Sequence, residues 1–226
     1  MIPLKDDNPT AITPFVTIAM IGLCVTAFIW QLGLAGDGNE RAVRALGVTP
    51  AVLLGNAQLS PGLVWVPPFL TILTSMFLHG GWLHLLGNML YLWIFGDNVE
   101  ESMGHARFTV FYLICGTAAA LSQALPDPTS TIPMIGASGA VSGVLGAYIV
   151  RHPTTPVLVA VPLFVVLYTI RLPAFVVLGL WFAVQLFSSL AAPDAAGVAF
   201  RAHVGGFVAG ALLIFVFQRH SSRRWR

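Results

Sequence analysis

Apolar residues in this chain fall in long, nearly unbroken blocks. They show neither the alternation of a half-buried strand nor the one-sided stripe of a soluble helix. Runs of about 18 or more uncharged residues are long enough to cross the hydrocarbon of a bilayer as helices. Long stretches of this kind run from about Phe15 to Leu34, Phe77 to Phe95, Phe108 to Leu125, Ile135 to Val150, Leu172 to Leu190 and Val204 to Phe217. They predict an all-α polytopic membrane protein with six transmembrane helices. A further stretch, Val157 to Ile170, has 14 residues, is rich in Val and contains Pro162. It predicts a short re-entrant or interfacial segment before the fifth helix.

Composition agrees: 57% of residues are hydrophobic and 9% are charged, against about 25% charged in an average soluble domain. Mean hydropathy is +0.83. The first stretch is too long for a signal-peptide core and has no basic region ahead of it, because Lys5 stands beside Asp6 and Asp7. It reads as a retained span.

Lysine and arginine gather on the cytoplasmic side of short loops, so they can choose between six and seven spans. With six spans and both termini cytoplasmic, Lys5, Arg107, Arg151, Arg171, Arg219, Arg223, Arg224 and Arg226 lie inside, and Arg41, Arg44 and Arg201 lie outside. The best seven-span orientation keeps only Arg41, Arg44, Arg171 and the four C-terminal arginines inside. Six spans are therefore preferred. A single membrane domain over residues 1–226 is expected, since the short arm before Phe15 and the basic tail after Phe217 leave no room for a regulatory domain.

A net charge of +2 with thinly spread cations suits a juxtamembrane anchor, so no nucleic-acid partner is expected. Cys24 and Cys115 sit inside apolar stretches without CxxC spacing, which predicts buried thiols and neither a disulfide framework nor a zinc site. The first loop, Ala35 to Ile72, carries Pro61, Trp65, Pro67 and Pro68 and is expected on or partly in the outer interface.

A strongly polar side chain inside a span is costly and is a functional candidate by default. The second stretch carries HGGWLHLLGN, with His84 and Asn88 four apart on one helical face. The fourth opens with GASGAVSGVLGAY, placing Ser138 between glycines, and the sixth opens with AHVGGFVAG, placing His203 before Gly205 and Gly206. With six spans these three helices all run inward from the outer face, so the polar residues share one depth. That depth is on the order of 6 to 12 Å below the surface at 1.5 Å per residue. Gly139 with Gly143, and Gly206 with Gly210, form GxxxG pairs that let two backbones approach. Close approach would bring Ser138 to His203.

Serine is a weak nucleophile until a neutral imidazole takes its proton, so this pairing predicts acyl transfer with Ser138 as nucleophile and His203 as base. The Asn88 amide, the His84 imidazole and the Ser138 backbone N–H could stabilise the oxyanion. Gly136 and Gly139 would leave room for a substrate backbone. Taken singly, each of these residues also fits a structural part: a serine bonding a backbone carbonyl, or a histidine or asparagine holding helices together.

At these residues the sequence resembles the rhomboid family of intramembrane serine proteases. GASGA with Ser138, AHVGGFVAG with His203, and HLLGN with His84 and Asn88 resemble the family's nucleophile, base and HxxxN motifs. The stretch TSMFLHGGWLHLLGNMLYLWIFGDNVEESMGHARF resembles the second span and its following loop, and KDDNPT and RLPAFVVLGLWF resemble bacterial members with six helices. The resemblance implies a rhomboid-like membrane domain with a Ser138–His203 dyad and no third acid, no metal and no cofactor. It implies single-pass membrane proteins as substrates, cut in or near their transmembrane segments, with entry beside the fifth span. It also implies a bacterial plasma membrane location. His79 and Glu100 resemble structural positions of the family. Two positions depart from its pattern: Ser142 stands where some members carry an aromatic residue against the catalytic histidine, and the first-loop Trp-Arg pair is missing although Trp65 is present.

Two other classes remain open. A non-proteolytic rhomboid-like protein would bind membrane clients without cutting them, and such relatives typically lack the nucleophile or base that this chain keeps. A transporter, haem or metal protein would need His79, His84 and His203 as ligands or a charged path. An SxxK dyad is excluded, because Lys5 is the only lysine.

Overall fold

A computed structural model describes residues 1–163, 166–191 and 198–219. Each of the six long apolar stretches holds a helix. These are α1 (Phe15–Leu32), α5 (Trp82–Met103), α6 (His105–Ala124), α7 (Ser138–Arg151), α8 (Ala174–Ala191) and α9 (Phe200–Phe217). Between α1 and α5 lie three short helices, α2 (Gly38–Leu46), α3 (Pro50–Leu53) and α4 (Thr71–Thr74), with single 3-10 turns around them. By length and apolar character alone, α1, α8 and α9 can cross a membrane; a fourth crossing results if the bent pair Pro61–Phe77 and Trp82–Met103 counts as one. The 14-residue α7 is too short to be counted on those grounds.

Helix α7 is the axis of the bundle, buried without interruption from Gly139 to Tyr148. Its small residues explain how so many neighbours reach it. A Cβ on Gly206 or Gly210 of α9 would collide with the carbonyl of Gly139 or Gly143 of α7. The two helices therefore touch backbone to backbone, as the GxxxG spacing predicts. On the other side Cys115 of α6 fills the space above Gly143. Both cysteines are free and buried. Large apolar side chains such as Trp93, Ile114, Phe187 and Phe215 are instead exposed on the outer surface. This is the burial pattern of a protein whose solvent is partly hydrocarbon.

The expectation of an all-α chain is corrected. A three-stranded antiparallel sheet is formed by β1 (Ile2–Asp6), β2 (Pro156–Leu163) and β3 (Val166–Pro173), in the order β1-β2-β3. The segment foreseen as re-entrant or interfacial is thus a β-hairpin. Its β-branched residues favour strand, and alternation buries Val157 and Val159. The N-terminal arm pairs with it from Ile2↔Ala160 to Asp6↔Val157, with a register shift between Pro3 and Lys5.

One end of the molecule is organised around this sheet and Glu100. The buried Glu100 carboxylate accepts hydrogen bonds from the backbone N–H groups of Val16 (2.9 Å) and Thr17 (2.8 Å) and from the Thr17 hydroxyl (2.7 Å). It supplies the cap that Pro14, at the N-cap of α1, cannot give. Lys5, Arg107, Arg151, Arg171 and Arg219 all lie at this end, on the sheet or at adjoining helix termini. Arg223, Arg224 and Arg226 lie outside the described residues.

Candidate active site

At the opposite end the first turns of α5, α7 and α9 converge. Ser138 is the first residue of α7 and His203 lies in the first turn of α9. Their side chains meet, with His203 Nε2 2.8 Å from Ser138 Oγ. The glycine contacts lower on the same two helices fix this approach, so the juxtaposition follows from backbone packing.

His84 and Asn88 face the same space from α5, and both line a cavity of about 990 Å3 together with Ser138 and His203. The Asn88 side chain is buried, and its Nδ2 has no hydrogen-bond partner among the described residues. A buried amide donor left free in this way is available to a ligand oxygen. His84 Nδ1 accepts from the Gly80 N–H at 3.4 Å, and its ring stands edge-on to His79 at 5.1 Å between centroids. Gly136 adopts φ +123°, and a Cβ there would lie 2.6 Å from His84 Nε2 and 3.6 Å from Ser138 Oγ. Only glycine can occupy the position. Gly139 also lines the cavity, but its missing side chain faces Ala119 of α6, where a Cβ would come within 2.6 Å. Its room is taken by helix packing.

The first N–H groups of α7 have no intrahelical partner and carry the positive end of the helix dipole. The Ser138 N–H is the first of these donors, and Ser138 lines the same cavity as Asn88. His79 is buried away from this chemistry. Its backbone N–H donates to Gln31 Oε1 (2.9 Å), and Gln31 Nε2 returns a bond to the His79 carbonyl (3.2 Å), tying the residues just ahead of α5 to α1. Val48 and Met134 form a backbone bridge that joins the first loop to the segment before α7. The Trp65 indole N–H donates to the nearby Gly62 carbonyl (3.2 Å).

Of the residues beside His203, Trp181 belongs to the RLPAFVVLGLWF stretch, whereas Gln185 follows it without a forerunner in the motifs. Ser142 is turned into its own helix, donating to the Ser138 carbonyl at 2.6 Å. The imidazole is instead flanked by Trp181 of α8, with ring centroids 6.0 Å apart, and its Nδ1 lies 2.8 Å from Gln185 Oε1. A lone glutamine in an apolar helix gives little signal by itself; the signal was its i, i+4 spacing from Trp181. Among the described residues no group of three or more His, Cys, Asp or Glu side chains could hold a metal ion.

A family model described as the Rhomboid domain matches residues 67–220, which include every residue of this cluster. The chain belongs to the rhomboid family. Similar proteins include the rhomboid protease GluP of Bacillus subtilis (strain 168), 32% identical over 134 residues, covering 59% of this chain and 24% of that protein. RHOMBOID-like protein 4 of Arabidopsis thaliana is 35% identical over 147 residues, 64% of this chain and 33% of its own length. Rhomboid protein 1, mitochondrial, of Saccharomyces cerevisiae (strain ATCC 204508 / S288c) is 31% identical over 159 residues, 66% and 42% respectively. The chain thus spans less than half the length of these rhomboid relatives. Family and apolar helices together make it an integral membrane protein.

Proposed function

We propose that this rhomboid is an intramembrane serine endopeptidase that cleaves membrane proteins in or near their transmembrane segments. The reading is carried by one observation, the 2.8 Å approach of Ser138 Oγ to His203 Nε2. In this mechanism Ser138 Oγ attacks the peptide carbonyl carbon while its proton passes to His203 Nε2. Asn88 Nδ2, the His84 ring and the Ser138 N–H stabilise the oxyanion. The C–N bond breaks, His203 returns the proton to the leaving amine, and an acyl-enzyme remains. A water molecule, deprotonated by the same imidazole, then hydrolyses the ester and restores the serine. The chemistry uses no metal or cofactor.

The proposed topology has six spans, α1 and α5 to α9, with both termini cytoplasmic. The five described cations gathered at the sheet end support that orientation. The sheet has two outer edges, those of β1 and β3, and open edges are not tolerated in hydrocarbon. It therefore lies at the cytoplasmic interface. Helix α7 is 14 residues long, about 21 Å at 1.5 Å per residue, against a hydrocarbon core of about 30 Å. Rooted at that interface, it ends inside the bilayer and holds Ser138 below the outer surface.

A fluorophosphonate probe tests this reading on protein solubilised in detergent. Labelling of the wild type, lost in both Ser138→Ala and His203→Ala, is the expected result. A folded wild type that stays unlabelled overturns it and favours a client-binding protein without proteolytic activity.

A further inference from the structure

The base of a Ser-His pair has to keep its Nε2 lone pair toward the serine, which places the single ring proton of the neutral imidazole on Nδ1. That proton needs an acceptor, or the ring is free to flip or to change tautomer. Here the atom 2.8 Å from Nδ1 is the amide oxygen of Gln185. Gln185 lies four residues after Trp181, on the same face of α8, and Trp181 flanks the ring. One turn deeper, Phe182 of α8 stacks on Phe207 of α9 with centroids 4.4 Å apart and an interplanar angle of 24°. The stack holds the two helices at the separation that lets the glutamine reach.

We propose that Gln185 is the positioning residue for His203, an uncharged third member that accepts the Nδ1–H and keeps Nε2 available to Ser138. This rests on the protease reading above and adds a residue to it. The role is that of the buried aspartate in soluble Ser-His-Asp enzymes, performed by an amide. An amide fits a site within the bilayer, where a carboxylate would carry a desolvation cost. Among the described residues the titratable groups around His203 are His84 and Tyr91, across the cavity on α5, Asp127, on the cavity lining ahead of α7, and Arg201 on α9 itself.

The test measures fluorophosphonate inactivation of the detergent-solubilised protein, resolving kinact from KI across pH, for wild type, Gln185→Met and Gln185→Glu. Methionine keeps the length and removes the acceptor; an ionised glutamate can only accept. Gln185→Met is expected to lower kinact by tenfold or more with KI within about threefold. The upper bound is the roughly 10⁴ loss seen when the aspartate of a charged triad is replaced. Gln185→Glu is expected to restore kinact and to move the acid limb of the profile up by about one pH unit, while methionine moves it down. These opposite displacements are not expected of a residue that only fills space. A Gln185→Met kinact within twofold of wild type overturns the proposal, and so does a loss that glutamate does not restore, accompanied by unmoved limbs. If Gln185→Met does not fold, the Gln185→Glu limb alone decides. If wild type does not label, the protease reading falls and takes this one with it; labelling of wild type with indifferent Gln185 variants removes only the positioning role.

Discussion

Glu100 caps a helix that begins 85 residues earlier in the chain: both of its oxygens are bonded to Val16 and Thr17 at the start of α1. The carboxylate is fully buried and also contacts His105 at the start of α6. Two helix N-termini thus depend on one side chain. Glu100→Ala should destabilise the protein by about 2 to 4 kcal/mol, since it removes charge-assisted hydrogen bonds and strands two buried donors. Thermal unfolding in detergent checks this, and an unchanged midpoint would refute it.

Asn88 offers an unpartnered amide to the cavity next to the Ser138–His203 pair. Loss of one oxyanion donor costs about 10² to 10³ in rate. Asn88→Ala should therefore lower kinact for a fluorophosphonate by that order while leaving the unfolding midpoint close to wild type. A rate unchanged within twofold would remove Asn88 from the mechanism.

The α7–α9 contact should be intolerant of a single methyl. At Gly210 an added Cβ would run into the Gly143 carbonyl, whereas at Gly179 of α8 it would meet nothing within 4 Å. Gly210→Ala should cost about 1 to 3 kcal/mol through overpacking and reduce labelling of Ser138. Gly179→Ala should be neutral, or stabilising by up to about 1 kcal/mol from helix propensity. Unfolding midpoints of the two variants, measured side by side, decide the matter.

Asp6 on β1 accepts a hydrogen bond from the Tyr148 hydroxyl, and burial raises its carboxyl above the usual 3.8. The folded protein therefore holds this proton more tightly than the unfolded chain. The stabilisation is complete below pH 3.8 and is lost as pH rises through the raised value. Asp6→Asn keeps an acceptor for Tyr148 and cannot ionise. The difference in unfolding midpoint, variant minus wild type, should grow as pH rises across that window; a constant difference would contradict the assignment.

How much of this was legible beforehand depended on the range of the interactions involved. The six helices follow from unbroken apolar stretches, a local signal. Ser138, His203, His84 and Asn88 stood out because polar residues are rare in such stretches, and the glycine pairs of α7 and α9 announced their contact by spacing. The sheet was missed because β1 is five residues with a proline, paired about 150 positions away; nothing local marks IPLKD as a strand. Gln185 escaped notice for a similar reason. Its partner lies on another helix, and one amide among Leu, Phe and Val reads as a tolerated polar residue until the imidazole is seen beside it.

The contact that brings serine and histidine together involves glycine hydrogens and carbonyl oxygens, and has no side chains to trade. The cavity wall, by contrast, includes side chains such as Met134 and Ile135. On the proposed protease reading, what the site accepts can therefore drift by ordinary substitution while the bond chemistry stays fixed, and a programme to change its selectivity can redesign the wall without retuning the reactive pair.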